Sequence, residues 1–265
     1  LDVLMVEQGL AESRQKAQAL IMAGQVFVGE RRYDKAGISV DESVRLEVRG
    51  QALRYVSRGG LKLEKAIATF DDTVEGRVCM DIGAAAGGFT DVLLKNGASH
   101  VYAIDVGYGQ FDWGLRNDPR VTLMERTNAR YVTREQLPLH PTMTVMDVSF
   151  ISIKLILPVA AEIMGPEGCF YTLVKPQFEA GRDRVGKKGV VRDPKVHEDV
   201  LMDIVNFAPT FGWQVKQLAY SPITGPEGNI EFLAHIVPQD EHIPTITPEF
   251  ISRLVAQAHE GLKKE

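Results

Sequence analysis

The run Met80-Asp81-Ile82-Gly83-Ala84-Ala85-Ala86-Gly87-Gly88-Phe89-Thr90 constrains this chain more than any other stretch. An apolar strand (Val78, Cys79, Met80) enters a turn that holds three glycines, and a helical segment follows from Thr90 to Lys95. A backbone that turns this tightly at a strand end leaves room for a flat ligand, because no side chain stands in the way. The spacing is G-x-x-x-G-G and differs from the G-x-G-x-x-G that cradles a dinucleotide pyrophosphate.

A nucleoside without phosphates fits that spacing, and S-adenosylmethionine is the commonest such ligand. A second apolar run, His100 to Ile104, ends in Asp105. A carboxylate at the end of the second strand accepts hydrogen bonds from both hydroxyls of a ribose. NAD would satisfy Asp105 but not the glycine spacing. Asn128, in Arg126-Thr127-Asn128-Ala129-Arg130 after the third strand, is placed to meet the adenine edge. The candidate cofactor contacts are Asp81, Gly83, Ala84, Gly87, Gly88, Phe89, Asp105, Val106 and Asn128.

Length bounds the architecture: 265 residues, 45% of them apolar, suffice for one large α/β domain plus a small appendage. Cys79 and Cys169 lie in apolar runs and form no C-x-x-C pair, so core packing is expected of them, not a disulfide or a metal site. The apolar stretch Ile151 to Met164 is broken by Lys154 and Glu162, and no signal peptide is evident. A soluble cytoplasmic protein is the simplest expectation. The net charge of −5 argues against a chain that coats nucleic acid over its whole surface. Local charge decides such binding, however. Between residues 175 and 195 stand seven bases (Lys175, Arg182, Arg184, Lys187, Lys188, Arg192, Lys195) against three acids (Glu179, Asp183, Asp193). With Gly181, Gly186 and Gly189 for mobility, such a loop can track a phosphate backbone.

The first 50 or so residues read as a separate module. Asp2 to Gln8 forms a short helix ended by Gly9-Leu10. Ser13 caps a second helix, with Ala17, Leu20 and Ile21 inward and Gly24 closing it. Strands are expected at Gln25 to Val28 and at Ser43 to Val48, where Val44, Leu46 and Val48 alternate. This order, together with the wording Gly9 to Ala17 and Ile21 to Val28, resembles the S4 RNA-binding domain. Arg14 and Lys16 in the first turn of the second helix, with Arg31 and Arg32 beyond the first strand, make a basic edge suited to structured RNA.

Gly50 to Gly60 is the candidate linker, after which Ser57 is placed to cap a helix from Gly60 through Ala68 with Leu61, Lys65 and Ala68 on one face. Strands are then expected at 78–82, 100–105, 121–124, 143–148 and 168–174, with a helix from Ile153 to Met164. This alternation predicts a mostly parallel sheet covered by helices on both faces. Trp213 to Tyr220 and Ile230 to Val237 are separated by a turn-rich segment too short for a parallel crossover, which predicts a terminal antiparallel hairpin. A last helix is capped by Thr247-Pro248, with Ile251, Leu254, Val255 and Ala258 inward. The domains expected are therefore 1–50, a linker at 51–60, and 61–265.

Ligands of such sheets bind at the carboxyl ends of the strands. Asp147 ends one apolar strand, Lys175 ends the next, Glu231 falls within Asn229-Ile230-Glu231-Phe232-Leu233, and Lys62 starts the helix before the glycine turn. Methylating a ribose hydroxyl requires a base for a weakly acidic proton. A lysine, with a free pKa near 10.4, serves only if a neighbouring ammonium or exclusion of water lowers that value. Lys175 is the expected base, with Lys62 beside it and Asp147 and Glu231 orienting the two. Amine methylation is disfavoured: Asp147-Val148-Ser149-Phe150 stands where those enzymes commonly carry Asn/Asp-Pro-Pro-Tyr/Phe.

These features, with Arg58-Gly59-Gly60-Leu61-Lys62-Leu63, Asp147 to Ser152 and Val174-Lys175-Pro176-Gln177-Phe178-Glu179, resemble the TlyA (hemolysin A) family over nearly the whole chain. Its catalytic domain is similar to the FtsJ-type ribose 2′-O-methyltransferases. The resemblance implies a class I, Rossmann-like methyltransferase domain behind a small α+β S4-like domain. It implies S-adenosylmethionine as methyl donor and ribosomal RNA or ribosomal subunits as partner, with cytidine 2′-hydroxyls as targets. It also implies the catalytic set Lys62, Asp147, Lys175 and Glu231. Candidate RNA contacts are Arg14, Lys16, Arg31, Arg32, Arg58, Arg182, Arg184, Lys187 and Lys188, and neither a membrane nor a metal partner is expected. The chain departs from the family turn in carrying Ala85 and Ala86 where hydroxyl residues are usual, so two hydrogen bonds near the cofactor, each worth about 1 kcal/mol, are absent. Two other classes stay open: a non-catalytic RNA-binding or ribosome-assembly factor on the same fold, and a membrane-lytic protein. The second lacks a spanning segment or a strongly basic amphipathic helix.

Overall fold

The computed structural model describes residues 1–29, 31–35, 37–49 and 54–262. The expected helices α1 (Asp2–Glu7) and α2 (Arg14–Met22) open the chain. Ser13 caps α2 by accepting from the Lys16 amide at 3.2 Å. Gly24 (φ +67°) lies just beyond the helix, in the left-handed region that suits glycine. Three short strands, β1 (Val26–Val28), β2 (Arg31–Tyr33) and β3 (Glu47–Val48), pair antiparallel in the order β2-β1-β3. Leu4, Met5, Ala17, Ile21, Val26 and Leu46 form a small core of their own.

One expectation changes here. The alternation from Ser43 to Val48 yields a strand of only two residues, because Asp41 closes a turn on the Ser43 amide (2.8 Å) and Leu46 bonds to the Gln8 side chain (3.0 Å). Arg31 and Arg32 lie beyond the first strand and form β2, paired with Val28 and Phe27.

The rest is built on a seven-stranded sheet: β4 (Val78–Ile82), β5 (His100–Ile104), β6 (Val121–Met124), β7 (Met143–Met146), β8 (Cys169–Val174), β9 (Trp213–Tyr220) and β10 (Phe232–Pro238). Their spatial order is β6-β5-β4-β7-β8-β10-β9. The first five are parallel, and β10 runs antiparallel to both β8 and β9, the hairpin expected from its short connection. The strand order reverses between β4 and β7, and this is where an open α/β sheet leaves a crevice for ligand.

Strand side chains alternate between two cores. Met80, Ile82, Tyr102, Ile104, Met146, Phe170 and Val174 face one. Cys79, Val101, Ala103, Val145, Tyr171 and Leu173 face the other. Helices α3 (Gly60–Thr69) and α4 (Gly88–Lys95) cover the second core, and the short α5 (Trp113–Arg116) adds Leu115 to it. Helices α6 (Leu157–Met164), α8 (Pro194–Phe207) and α9 (Pro248–Gly261) cover the first, while the single turn α7 (Pro176–Glu179) follows β8. A parallel sheet buried on both faces explains why its strands read as nearly continuous apolar runs.

Local departures have local causes. Ser57 does not cap α3: the N-cap is Gly59, without a side-chain bond. The Ser57 hydroxyl instead lies against Gly88, where any β-carbon would collide with it. The buried face of α3 carries Lys62, Leu63 and Ala66, whereas Ala68 is exposed. The helix expected from Ile153 begins as a 3-10 turn and becomes α-helical at Leu157, since Pro158 is tolerated only in a first helical turn. Helix α8 was not expected; Asp193 caps it through the Lys195 amide and Pro194 occupies its first position. Both cysteines are buried and free on β4 and β8, with β7 between those strands. Burial pushes each thiol up to about 12. Among the described residues no helix is long and apolar enough to cross a membrane.

Phe170 is fully buried and meets Trp213 edge-on at 5.1 Å. Its replacement by Ala is expected to lower the unfolding free energy by about 3–5 kcal/mol, read from denaturant titrations.

Candidate active site

At the carboxyl ends of β4, β7 and β8 the chain brings four charged side chains together. Lys62 reaches in from the first turn of α3; Asp147 follows β7, Lys175 follows β8, and Glu231 immediately precedes β10 instead of lying within it. Lys62 Nζ lies 2.5 Å from Glu231 and 3.8 Å from Asp147, and Lys175 Nζ lies 2.5 Å from the other Asp147 oxygen. Glu231 is 1% exposed, and Lys62 and Lys175 are buried as well, so these charges face each other with little water between them. Burial alone would push Lys62 down, but the Asp147 and Glu231 carboxylates outweigh it and hold its ammonium above the ordinary lysine range.

Uncharged neighbours complete the group. Lys175 donates to Ser149 Oγ at 3.1 Å, and Gln177 donates to Glu231 at 3.3 Å. Gly225 leaves room for Glu231: a β-carbon there would come within 2.6 Å of its carboxylate. Phe150 stands beside the site 91% exposed, at φ +65° and 5.2 Å from the Phe178 ring. A bulky residue in the left-handed region is held there by its surroundings. Here Glu179 clamps the neighbouring segment, accepting from Ser152 Oγ (2.6 Å) and the Ile153 amide (2.8 Å). An exposed ring offers a nucleic-acid base a face to stack on. Ser149, Phe150 and Gln177 fall inside the sequence motifs quoted above, but reasoning from charge alone passed over them.

The glycine turn lies beside this cluster. Gly83 (φ +84°) presses so closely on the Asp147 carbonyl that a β-carbon would strike it, which ties the turn to the β7 end. Gly87 (φ +96°) has Leu115 and Phe111 where a side chain would go. Ala85 takes φ +47°, and its amide donates to Asp105 Oδ2 at 2.8 Å, while the Gly107 amide donates to Oδ1 at 2.6 Å. Backbone donors thus fix Asp105 at the lip of the turn without help from the missing hydroxyls. A glycine cradle closed to side chains, with a fixed carboxylate at its lip, fits the nucleoside part of S-adenosylmethionine. Val106 is exposed beyond Asp105, and Asn128, also exposed, caps a 3-10 turn through the Arg130 amide.

Three expected cofactor residues sit behind the turn. Ala84 and Phe89 pack in the core. Asp81 is wholly buried, accepts from Thr90 Oγ1 at 2.7 Å through one oxygen and leaves the other without a partner. Burial pushes its carboxyl up to about 7, with the Thr90 bond working the other way.

The basic candidates are spread out. Arg14 pairs with Asp2 at 3.1 Å, Lys16 with Glu12, and Arg184 with Asp199 at 2.6 Å. Arg31 stacks over Tyr33, Arg58 lies close enough to Lys62 to repel it, and Arg182, Lys187 and Lys188 are exposed on the loop before α8. A cavity of about 610 Å³, lined by Asp72, Arg77, Cys169, Lys216 and Pro238, opens at the opposite end of the sheet. The Asp72, Cys169 and His235 groups approach within 4.8 Å of one another there, but the Asp72 carboxylate is already shared between His235 (2.7 Å) and Arg77 (3.2 Å). That group is a closed polar network.

Comparison with known proteins agrees with this geometry. Residues 55–237 match the family described as FtsJ-like methyltransferase, and residues 1–46 match the S4 domain. The chain belongs to the FtsJ-like methyltransferase family. It is 52% identical over its full length to YqxC of Bacillus subtilis, whose name assigns it provisionally to rRNA methylation, and covers 95% of that protein. It is 43% identical, over 88% of this chain and 87% of the relative, to the protein of Mycobacterium tuberculosis named 16S/23S rRNA (cytidine-2′-O)-methyltransferase TlyA. A solved structure from Streptococcus thermophilus, titled as a hemolysin, superposes with a TM-score of 0.78 at 49% identity, covering 99% of this chain and 96% of that one.

Asp81 provides a check on the turn. Its folded carboxyl keeps a proton up to about pH 7, whereas an unfolded one releases it near 3.9. The folded state therefore holds more protons between those values, and stability falls as pH rises through the window. Asp81→Asn is expected to flatten this slope in unfolding free energies measured from pH 4.5 to 7.5.

Proposed function

We propose that this chain methylates ribose 2′-hydroxyls of ribosomal RNA, with S-adenosylmethionine as donor and cytidine as target. The observation that carries the reading is the two-lysine, two-carboxylate cluster at the strand-order reversal, against the glycine turn. Gly83, Gly87 and Gly88 would seat the cofactor, Asp105 would take its ribose hydroxyls, and Val106 and Asn128 would flank its base. When bound, S-adenosylmethionine supplies an electrophilic methyl group.

The protein's share of the chemistry is to present the hydroxyl and remove its proton. Lys175 is the base of this reading: its Nζ meets Asp147 and Ser149. Lys62, kept charged by its two carboxylates, stands across Asp147 from it, and docked RNA closes the site to water. Asp147 aligns the two ammonium groups, and Glu231 holds Lys62 away from the attacking oxygen. Phe150 offers a face for a base displaced next to the target.

The division of labour follows the domains 1–50, 51–60 and 61–265. In the first, Arg14, Lys16, Arg31 and Arg32 meet RNA phosphates. Arg58 in the linker, and Arg182, Arg184, Lys187 and Lys188 in the last, do so around the site. Family likeness supports the reading, since the relatives named for a known target act on cytidine in ribosomal RNA.

Lys175→Met tests the assignment. Methyl transfer to ribosomal RNA is expected to fall at least about 100-fold, while calorimetry shows S-adenosylmethionine affinity within about 3-fold of the parent. Undiminished transfer by the variant would remove Lys175 from the role of base.

A further inference from the structure

Asn229 is a buried amide, 3% exposed, whose two ends bond to backbone far away in sequence. Its Oδ1 accepts from the Val191 amide at 2.9 Å, and its Nδ2 donates to the Gly189 carbonyl at 2.9 Å. Only this orientation of the amide satisfies both partners. The segment it grips is two-sided. Val190 and Val191 are buried, while Arg182, Lys187 and Lys188 just before them are exposed and free of the acid that neutralises Arg184. Lys188 (φ +65°) and Gly189 (φ +74°) both take the left-handed backbone, so this arch holds a defined shape instead of a random one.

The other end of the clamp is Glu231. Asn229 lies two residues before it, and the Asn229 carbonyl accepts from the Gly225 amide at 2.9 Å. Gly225 is the residue whose missing side chain makes room for the Glu231 carboxylate, and the Ser221 amide closes the same turn on the Glu231 carbonyl at 2.9 Å. One side chain therefore joins the cationic arch to the turn that places a member of the four-charge cluster.

We infer that Asn229 is a positioning residue that couples RNA backbone held by the arch at Arg182, Lys187 and Lys188 to the placement of Glu231. The inference rests on the proposed reading of that arch as an RNA contact. RNA phosphates on the arch fix its position, the two bonds of Asn229 carry that position to the 225–229 turn, and the turn sets Glu231 against Lys62. Loss of the amide frees the arch and loosens Glu231 together, and loss of the arch cations leaves the arch without the phosphates that fix it, so Glu231 loses the same support.

The test is a double-mutant cycle between Asn229→Ala and the triple change Arg182→Ala, Lys187→Ala, Lys188→Ala. Binding of deproteinised ribosomal RNA is measured across a salt series, and methyl transfer is measured at saturating RNA. The triple change is expected to raise KM at least about 10-fold, to lower the slope of log affinity against log salt by about 2 to 3, at 0.7 to 0.9 for each of three phosphate contacts, and to lower kcat about 10-fold, since no phosphate then fixes the arch. Asn229→Ala is expected to do the same to affinity and slope and to lower kcat about 10-fold as well. Added to the triple change, it should cost no further RNA affinity. Should Asn229→Ala fail to fold, Asn229→Asp keeps the acceptor for Val191 and turns the bond to Gly189 into a repulsion between oxygens, and the same changes are expected of it. Independent, additive effects on affinity, or an unchanged kcat, would overturn the coupling. A triple variant with unaltered affinity and slope would instead show that the arch does not hold RNA, and the inference would fall with that reading.

Discussion

The Asp147 carboxylate, set between two ammonium groups, is the contact on which the rest of the site depends. One oxygen lies 2.5 Å from Lys175 and the other 3.8 Å from Lys62. Two buried lysines without it would repel each other in surroundings that screen charge poorly. With it, they stand within one group's reach at the end of a parallel sheet. Asp147 can sit there because its strand lies beside β4 at the reversal of strand order, and because Gly83 gives its carbonyl room. The pairing of β4 with β7, continued by the Asp147 amide on the Ile82 carbonyl, thus brings the glycine turn and the four charges to one edge.

Much of this was legible in the chain itself. The glycine turn, Asp105 and the four charges could be read because each places an unusual residue type at the end of an apolar run. Helix α8 is masked in the sequence by the charge excess from 175 to 195, although Asp193-Pro194 caps it and Val196, Val200, Leu201 and Ile204 keep a helical spacing. The run from Ser43 to Val48 has the alternation of a strand, but it competes with the Asp41 turn and mostly loses. Face assignment on α3 failed for a different reason: apolar spacing favoured Leu61 and Ala68, while the chemistry of the site turned Lys62 inward.

Uncharged groups were harder to see. Ser149 meets Lys175 across 26 residues, Gln177 meets Glu231 across 54, and Asn229 reaches back 38 and 40 residues to its arch. No periodicity marks such pairs, because the tertiary fold alone creates them. The four charges stand out by type, whereas a hydroxyl and an amide bond to two of them, Lys175 and Glu231. Buried polar groups of this kind act as a network, so the loss of one partner is felt by the others.

The most direct measurement is mass mapping of methyl groups in ribosomal RNA after incubation with the protein and S-adenosylmethionine carrying a labelled methyl. The account predicts label on the ribose of cytidine, resistant to alkaline cleavage at that linkage, and none with Asp147→Ala. Label on a base, or label of equal amount with Asp147→Ala, would contradict it.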